Sequence, residues 1–115
     1  MLQHVTFPIP IGLVDDCAAF WRLLGFADAT PPPSLAERAF WLQRGPTQVH
    51  LLYDEEAQPR TGHVAVVLDD YPATLEALRA AGHAPEPRAE HWGAPRAYVR
   101  DPAGNLVELM AAPPG

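Results

Sequence analysis

The sequence predicts an α+β protein built from two βαβββ modules, and three observations lead to this prediction. Landmark residues recur 56 to 59 positions apart, which indicates an internal repeat of about half the 115-residue chain. Each half begins with a strand-like segment, followed by a helix-like segment that a glycine ends. Three shorter strand-like segments then complete each half. We expect one domain, residues 1–115, with its modules at 1–57 and 61–112.

The landmarks of the repeat keep both their order and nearly their spacing. The matching pairs are His4-Val5 with His63-Val64, Gly25 with Gly82, Arg44-Gly45-Pro46 with Arg100-Asp101-Pro102, and His50 with Glu108. One such match arises easily by chance, whereas four matches in the same order favour duplication of a module.

The first module opens with a strand-like segment at 3–9, which is rich in β-branched residues and alternates in polarity. Asp15 or Asp16 is a suitable helix N-cap, and the apolar positions that follow end at Gly25. A run of three prolines at 31–33 predicts a loop. The remaining strands of this module are expected near 26–30, 37–43 and 47–53.

The second module repeats this series of elements. A strand is expected at 62–68, and Asp69 or Asp70 then caps a helix that has Pro72 in its first turn and ends at Gly82. The remaining strands are expected near 83–88, 95–100 and 105–111, with a strong turn signal at 101–105. Residues 58–61 are expected to join the two modules.

Strand alternation places four polar residues on equivalent faces of the sheet. Side chains at i and i+2 share a face, so the apolar neighbours of a polar residue define the opposite face. His4, for example, lies opposite Val5 and Phe7, which we expect to pack under the helix. The same alternation makes three further polar residues point away from the helices: His50, His63 and Glu108.

Three imidazoles and a carboxylate are suitable ligands for a divalent transition metal. A single histidine on a strand is more often an ordinary polar or solvent-facing residue. Four such groups at equivalent positions of repeated strands instead favour a metal site, because an isolated ionised glutamate on a buried sheet face would be costly. His83 and His91 lie in loop-like segments, and we expect both to be surface residues.

Composition argues against several classes of function. The formal net charge is −6 and the eight basic residues are all arginines, scattered singly, so neither nucleic acid nor an anionic membrane is an expected partner. Cys17 is the only cysteine and lies in an apolar segment, which predicts a packed thiol rather than a nucleophile. No apolar run is long enough to span a bilayer and no signal-peptide pattern is present, so a cytoplasmic location is expected.

Two segments resemble a known superfamily. Residues 93–110, GAPRAYVRDPAGNLVELM, are similar to the closing hairpin of the glyoxalase / bleomycin-resistance / extradiol-dioxygenase superfamily, the vicinal-oxygen-chelate proteins. Residues 20–26, FWRLLGF, resemble the first-helix signature of the same superfamily. The resemblance covers essentially the whole chain. It implies a cupped mixed sheet formed by the two modules, with the helices on its outer face.

The resemblance also implies a metal centre. The ligands fall on His4 and His63 in the first strands of the modules, and on Glu108 in the closing strand. His50 takes the remaining position, where glyoxalase I carries a glutamate that also transfers protons. This difference, together with the absence of a basic cluster for glutathione, argues against the glutathione-dependent isomerase activity. The ion implied is Fe, Mn, Ni or Zn.

Trp92 and Arg96 come just before the closing hairpin, where members of the superfamily often contact the ligand. We therefore expect both residues to bind the substrate. The alternatives are packing of the loop for Trp92 and a surface ion pair for Arg96.

The resemblance implies a metal-dependent enzyme that binds two neighbouring oxygens of a small substrate, either as an isomerase, lyase or thiol transferase or as a dioxygenase. The alternative is a metal-free small-molecule binding protein of the bleomycin-resistance type, whose acidic charge would suit a cationic drug. A third hypothesis is a regulatory or assembly module. The four candidate ligands favour the enzyme. A homodimer is expected, because a single cupped sheet would leave strand edges and an apolar groove rim exposed.

Overall fold

The computed structural model describes residues 2–58 and 62–114. The chain divides into two compact units, Met1–Gln58 and Pro59–Gly115, and each unit contains one α-helix and one four-stranded mixed sheet. The predicted α+β fold with two βαβββ modules is therefore confirmed. Most of the predicted connection at 58–61 lies outside the described residues. Within those residues, no helix is both long and apolar enough to cross a membrane.

The first module forms a sheet of strand order β1-β4-β3-β2, in which β1 runs parallel to β4 and the other neighbours are antiparallel. A single turn of 3-10 helix, Ile11–Leu13, precedes the α-helix. A second one, Pro33–Leu35, begins at the last residue of the proline run that was predicted to be a loop. The elements are β1 (His4–Ile9), α1 (Val14–Leu23), β2 (Ala27–Ala29), β3 (Ala39–Arg44) and β4 (Thr47–Tyr53).

The second module has the same topology, with strand order β5-β8-β7-β6 and a parallel pair formed by β5 and β8. Its elements are β5 (His63–Val67), α2 (Tyr71–Ala80), β6 (Glu86–Arg88), β7 (Arg96–Arg100) and β8 (Leu106–Met110). The turn before β8 is held by Asp101, whose carboxylate accepts hydrogen bonds from the backbone N–H groups of Ala103 and Asn105. The predicted turn at 101–105 is thus confirmed.

The two helices end alike but begin differently. Gly25 and Gly82 both adopt a φ of +92°, the left-handed conformation that ends a helix at little cost only when the residue is glycine. Asp70 caps α2 as predicted, since its Oδ1 accepts a hydrogen bond of 3.1 Å from the N–H of Ala73.

The predicted N-cap of α1 at Asp15 or Asp16 is wrong. The helix begins at Val14, where no side chain caps it, and both aspartates lie within its first turn. The reason is the 3-10 turn just before it: the N–H of Val14 already donates to the carbonyl of Ile11, so the chain enters the helix with that N–H bonded. The two aspartates still lie where negative charge stabilises a helix.

Trp21 of α1 is the centre of the first module's core. Its ring lies 5.6 Å from that of Phe7 on β1, 5.5 Å from Phe20 and 5.3 Å from Phe26, as measured between centroids. Cys17 is fully buried in the same core, which confirms the packed thiol. Since α1 packs against the face of β1 that carries Phe7, the opposite face of this sheet is left for polar residues.

The second module is packed in the same way. Leu75 and Leu78 of α2 are buried, as are the alternate residues of β7 and β8 that lie on the helix side of the sheet. These strand residues are Ala97, Val99, Val107 and Leu109. We call the side of each sheet that faces away from its helix the open face.

Candidate functional site

The open face of the first module carries His4 and His50. In the strand register, His50 on β4 lies between Thr6 of β1 and Trp41 of β3, and His4 lies two residues before Thr6 on the same face. Val49 and Leu51, on either side of His50, are buried on the helix side. The prediction that these two histidines point away from the helix is therefore confirmed.

The imidazole of His50 is stacked between two other rings. Its centroid is 3.8 Å from that of Trp41, with an angle of 2° between the planes, and 4.2 Å from that of His4, with an angle of 17°. Trp41 was not among the predicted site residues. Alternation along β3 could have revealed it, because its neighbour Leu42 belongs to the core and Trp41 must then face the other way.

Hydrogen bonds and burial further define the two imidazoles. His50 Nε2 is 2.8 Å from Gln48 Oε1, and His4 Nδ1 is 2.6 Å from Gln3 Oε1. His50 is only 9% exposed, whereas His4 is exposed. Burial, with a smaller contribution from the nearby His4, lowers the pKa of His50 below its ordinary value of 6.5. His50 is therefore neutral at pH 7 and retains a basic nitrogen.

The stacked geometry of His4 and His50 limits how their ring nitrogens can bind a metal ion. A metal ion lies in the plane of a ligating imidazole, about 2.0–2.1 Å from the nitrogen. The two planes are nearly parallel and the centroids are 4.2 Å apart, so an ion in one plane lies well outside the other. One ring must rotate before both can bind the same ion. In the stacked arrangement, at most one of these two histidines could bind a given ion.

The open face of the second module is centred on the carboxylate of Glu108. Its Oε1 is 3.1 Å from His63 Nε2, and its Oε2 is 3.9 Å from Arg96 Nη1. Tyr98 lies beside Glu108 in the strand register, on the same face. The side chains of Glu108 and Arg96 are only 10% and 11% exposed, whereas that of His63 is 34% exposed. His63 and Glu108, which were both predicted to lie on this face, are thus in direct contact.

Arg96 is closely held within this group. Its guanidinium carbon lies 6.0 Å from the ring centroid of Trp92 and 5.3 Å from that of Tyr98, and its Nε donates to the carbonyl of Ala89. Its Nη1 is buried and has no hydrogen-bond partner among the described residues. The ion pair that Arg96 forms with Glu108 is therefore a buried one, not the surface pair that was the alternative interpretation.

Trp92 packs against the segment that follows β8. Its indole N–H donates a 3.0 Å hydrogen bond to the carbonyl of Ala112, and its ring contacts the guanidinium of Arg96. This is the loop packing that was the alternative to ligand stacking. His91 is exposed, as expected.

A cleft of about 660 Å³ opens beside this face of the second module. Tyr98, Arg88 and Leu106 contribute to it from the sheet, and His83, predicted to be a surface residue, lines it in a half-buried position. Tyr98 lines this cleft and also lies beside Glu108 in the strand register, whereas Glu108 itself does not line the cleft.

The four predicted ligands thus form two pairs, His4 with His50 and His63 with Glu108. Across residues 2–58 and 62–114, no three histidine, cysteine, aspartate or glutamate side chains form a group that could hold a metal ion. The donor groups of the two pairs, three imidazoles and one carboxylate, are nevertheless of the kind that binds Fe, Mn, Ni or Zn in proteins.

A sequence model described as the glyoxalase-like domain matches residues 12–110. No curated protein sequence matches the chain. Among solved structures, a Bacillus anthracis protein assigned to the glyoxalase family superimposes with a TM-score of 0.86 at 24% identity, over 96% of this chain and 93% of that one.

Two further solved structures have different described functions. A lactoylglutathione lyase from Agrobacterium tumefaciens has a TM-score of 0.74 at 20% identity, covering 96% of this chain and 92% of that one. A bleomycin resistance determinant encoded on the transposon Tn5 has a TM-score of 0.65 at 24% identity, covering 92% of this chain and 94% of that one. At these identities the likeness establishes the fold that the proteins share.

Proposed function

Since this chain belongs to the glyoxalase-like domain family, we propose that it is a metal-dependent enzyme that acts on a small oxygenated substrate. A divalent ion held by this chain's residues would stabilise negative charge on two neighbouring oxygens of the substrate, and the reaction would be an isomerisation, a cleavage or an oxidation by dioxygen. The similarity of the fold to that of a lactoylglutathione lyase is consistent with an enzyme of this kind.

One observation carries this proposal: the two modules present corresponding pairs of donor groups on their open faces. His4 and His63 begin the first strands of their modules, and His50 and Glu108 occupy corresponding positions in the closing strands. We propose that one ion takes its ligands from both pairs, contributed either by one chain or by two copies of it. Duplication of a module would produce such matched pairs, whereas unrelated surface histidines would not recur in register.

The geometry favours different roles for the two histidines of the first module. We assign His4, with His63 and Glu108, to the metal, and we assign proton transfer to His50. His50 is buried, stacked and neutral at pH 7, so its free lone pair can accept a proton from the substrate. The assignment of His50 as a fourth ligand requires one of the two stacked rings, His4 or His50, to rotate.

The ion, when bound, would supply positive charge that stabilises negative charge developing on the substrate oxygens. Arg96 would orient Glu108 from the side away from His63, because its Nη1 lies nearest to the other carboxylate oxygen. Trp92 and Tyr98 hold the guanidinium in place. A role for Arg96 or Trp92 in binding the substrate remains part of the proposal.

The proposal is tested by metal titration of chelator-treated protein. Mn²⁺, Fe²⁺, Ni²⁺ and Zn²⁺ are added one at a time, and binding is measured by calorimetry and by the thermal unfolding midpoint. At 100 times the dissociation constant, binding to the folded state alone adds about 2.7 kcal/mol to the free energy of unfolding. We expect this gain for at least one ion.

The variants His63→Gln and Glu108→Gln should lose tight binding while keeping the fold, because the helix side of the sheet is unchanged. The control is His91→Gln, which removes an exposed imidazole elsewhere in the same module and should bind like the wild type. Equal binding by all four proteins, or by none, would rule out this site.

A metal-free protein that binds a small drug is the second candidate. The fold is shared with a bleomycin resistance determinant, and a net charge of −6 suits a cationic drug. This function predicts saturable quenching of tryptophan fluorescence by bleomycin in chelator-treated protein, with no stabilisation by any metal. The enzyme proposal predicts the opposite pair of results.

A further inference from the structure

A chain of side-chain hydrogen bonds leads to His50 from the turn between β3 and β4. The amide nitrogen of Gln43 is 2.9 Å from the backbone carbonyl oxygen of Gly45. The amide nitrogen of Gln48 is 3.2 Å from Gln43 Oε1, and Gln48 Oε1 is 2.8 Å from His50 Nε2. The chain therefore joins a backbone carbonyl to an imidazole through two amides.

The carbonyl at the start of this chain fixes the direction of every bond in it. A backbone carbonyl only accepts hydrogen bonds, so the group of Gln43 that faces Gly45 must be its NH₂. The oxygen of Gln43 is then left to accept from Gln48, which in turn leaves the oxygen of Gln48 facing His50. An amide oxygen has no hydrogen to donate, and His50 Nε2 must therefore carry one.

We infer that Gln48 is a positioning residue which, with Gln43, holds neutral His50 as the tautomer protonated at Nε2, so that Nδ1 is the nitrogen that accepts the substrate's proton. The last step rests on the proposed function, whereas the tautomer is a property of the protein without metal or substrate. Stacking between Trp41 and His4 complements the hydrogen bond, because it fixes the plane of the ring within which Nδ1 directs its lone pair.

The proton transfer balances without any further reagent. The lone pair of Nδ1 forms the new N–H bond, the electron pair of the broken bond stays on the substrate, and the imidazole becomes an imidazolium. The imidazolium keeps its Nε2–H bond to Gln48, so the same contact stabilises the product of the transfer. Return of the proton from Nδ1 regenerates the starting tautomer.

The inference is tested by long-range ¹H–¹⁵N correlation NMR of chelator-treated protein at pH 8, where His50 is neutral. This measurement distinguishes a protonated ring nitrogen from a bare one, and the His50 signals are identified by their loss in His50→Gln. In the wild type we expect protonated Nε2 and bare Nδ1. Gln48→Met removes the acceptor at similar volume, and a measurable fraction of the other tautomer should then appear.

Two further variants separate a specific contact from a general disturbance. Gln48→Glu keeps an acceptor facing His50 and should retain the wild-type tautomer. Gln3→Met removes the partner of His4 and should leave the His50 signals in their wild-type state. Protonated Nδ1 in the wild type, or equal tautomer populations in the wild type and Gln48→Met, would overturn the inference. Metal titration is a separate measurement, so failure of the proposed function is recognised independently.

Discussion

Removal of the negative charge at Glu108 tests how much the buried ion pair with Arg96 contributes to the free energy of unfolding. The change is Glu108→Gln, which keeps the size of the side chain. Two unit charges 3.9 Å apart interact by about 4 kcal/mol at an effective dielectric constant of about 20. The pair lacks a hydrogen bond and is about one-tenth exposed, and two aromatic rings also stabilise the guanidinium. We therefore expect a loss of about 2–3 kcal/mol.

The assay is urea unfolding of metal-free protein at pH 7, arranged as a double-mutant cycle with Arg96→Met. Glu108→Gln leaves a buried guanidinium without a carboxylate, whereas the double variant removes both charges. The double variant should therefore be more stable than the sum of the single effects by about 2 kcal/mol. The control is Glu86→Gln, which breaks an ion pair with Arg88 of 3.5 Å between more exposed side chains and should cost less than about 0.5 kcal/mol.

The two pairs are matched in chemistry and differ in burial. If Glu108→Gln changes the free energy of unfolding no more than Glu86→Gln, burial does not strengthen the pair. If the coupling energy in the cycle is close to zero, Arg96 does not hold Glu108, and its role in orienting the carboxylate is wrong.

Three further predictions concern helix capping, pH and assembly. Asp70→Ala should reduce the free energy of unfolding by about 1 kcal/mol, because it removes the cap of α2, while Asp16→Ala in the uncapped helix should cost clearly less by the same urea assay. Burial lowers the pKa of folded His50 below its ordinary value of 6.5, so on acidification the unfolded chain takes up this proton before the folded chain does. Wild-type stability should therefore fall from pH 7 to pH 5 more steeply than that of His50→Gln, and equal slopes would contradict this. The chain should form a homodimer at micromolar concentration, because Leu52 and Val67 remain exposed on the open faces, and a monomeric mass by light scattering would contradict this.

Most of the fold could be predicted because its signals are local. Alternation of polarity located the strands, and the glycines that end both helices marked positions where φ is positive. The start of α1 could not be predicted in the same way. Its first N–H is bonded within a preceding 3-10 turn that has no distinctive sequence signal, so the aspartates that resemble caps lie inside the helix.

For the candidate site, the sequence predicted which face of the sheet each residue occupies, but it did not predict which side chains contact one another. Alternation placed His50 and Glu108 on the open faces, as the strand register confirms. The stacking of Trp41 on His50 depends on the register between two strands, and the burial of Arg96 against Glu108 depends on the rotamers of long side chains. Neither property is encoded in the spacing of residues along a single strand.

The most direct test of the proposed metal centre is the metal content of the protein after loading and removal of excess ion. Elemental analysis gives the ratio of ion to chain without any assumption about the substrate. The shared site predicts one divalent ion per chain in the wild type and in His91→Gln, and none in the combined variant His63→Gln, Glu108→Gln. Wild-type protein that carries no more metal than the combined variant would contradict the account.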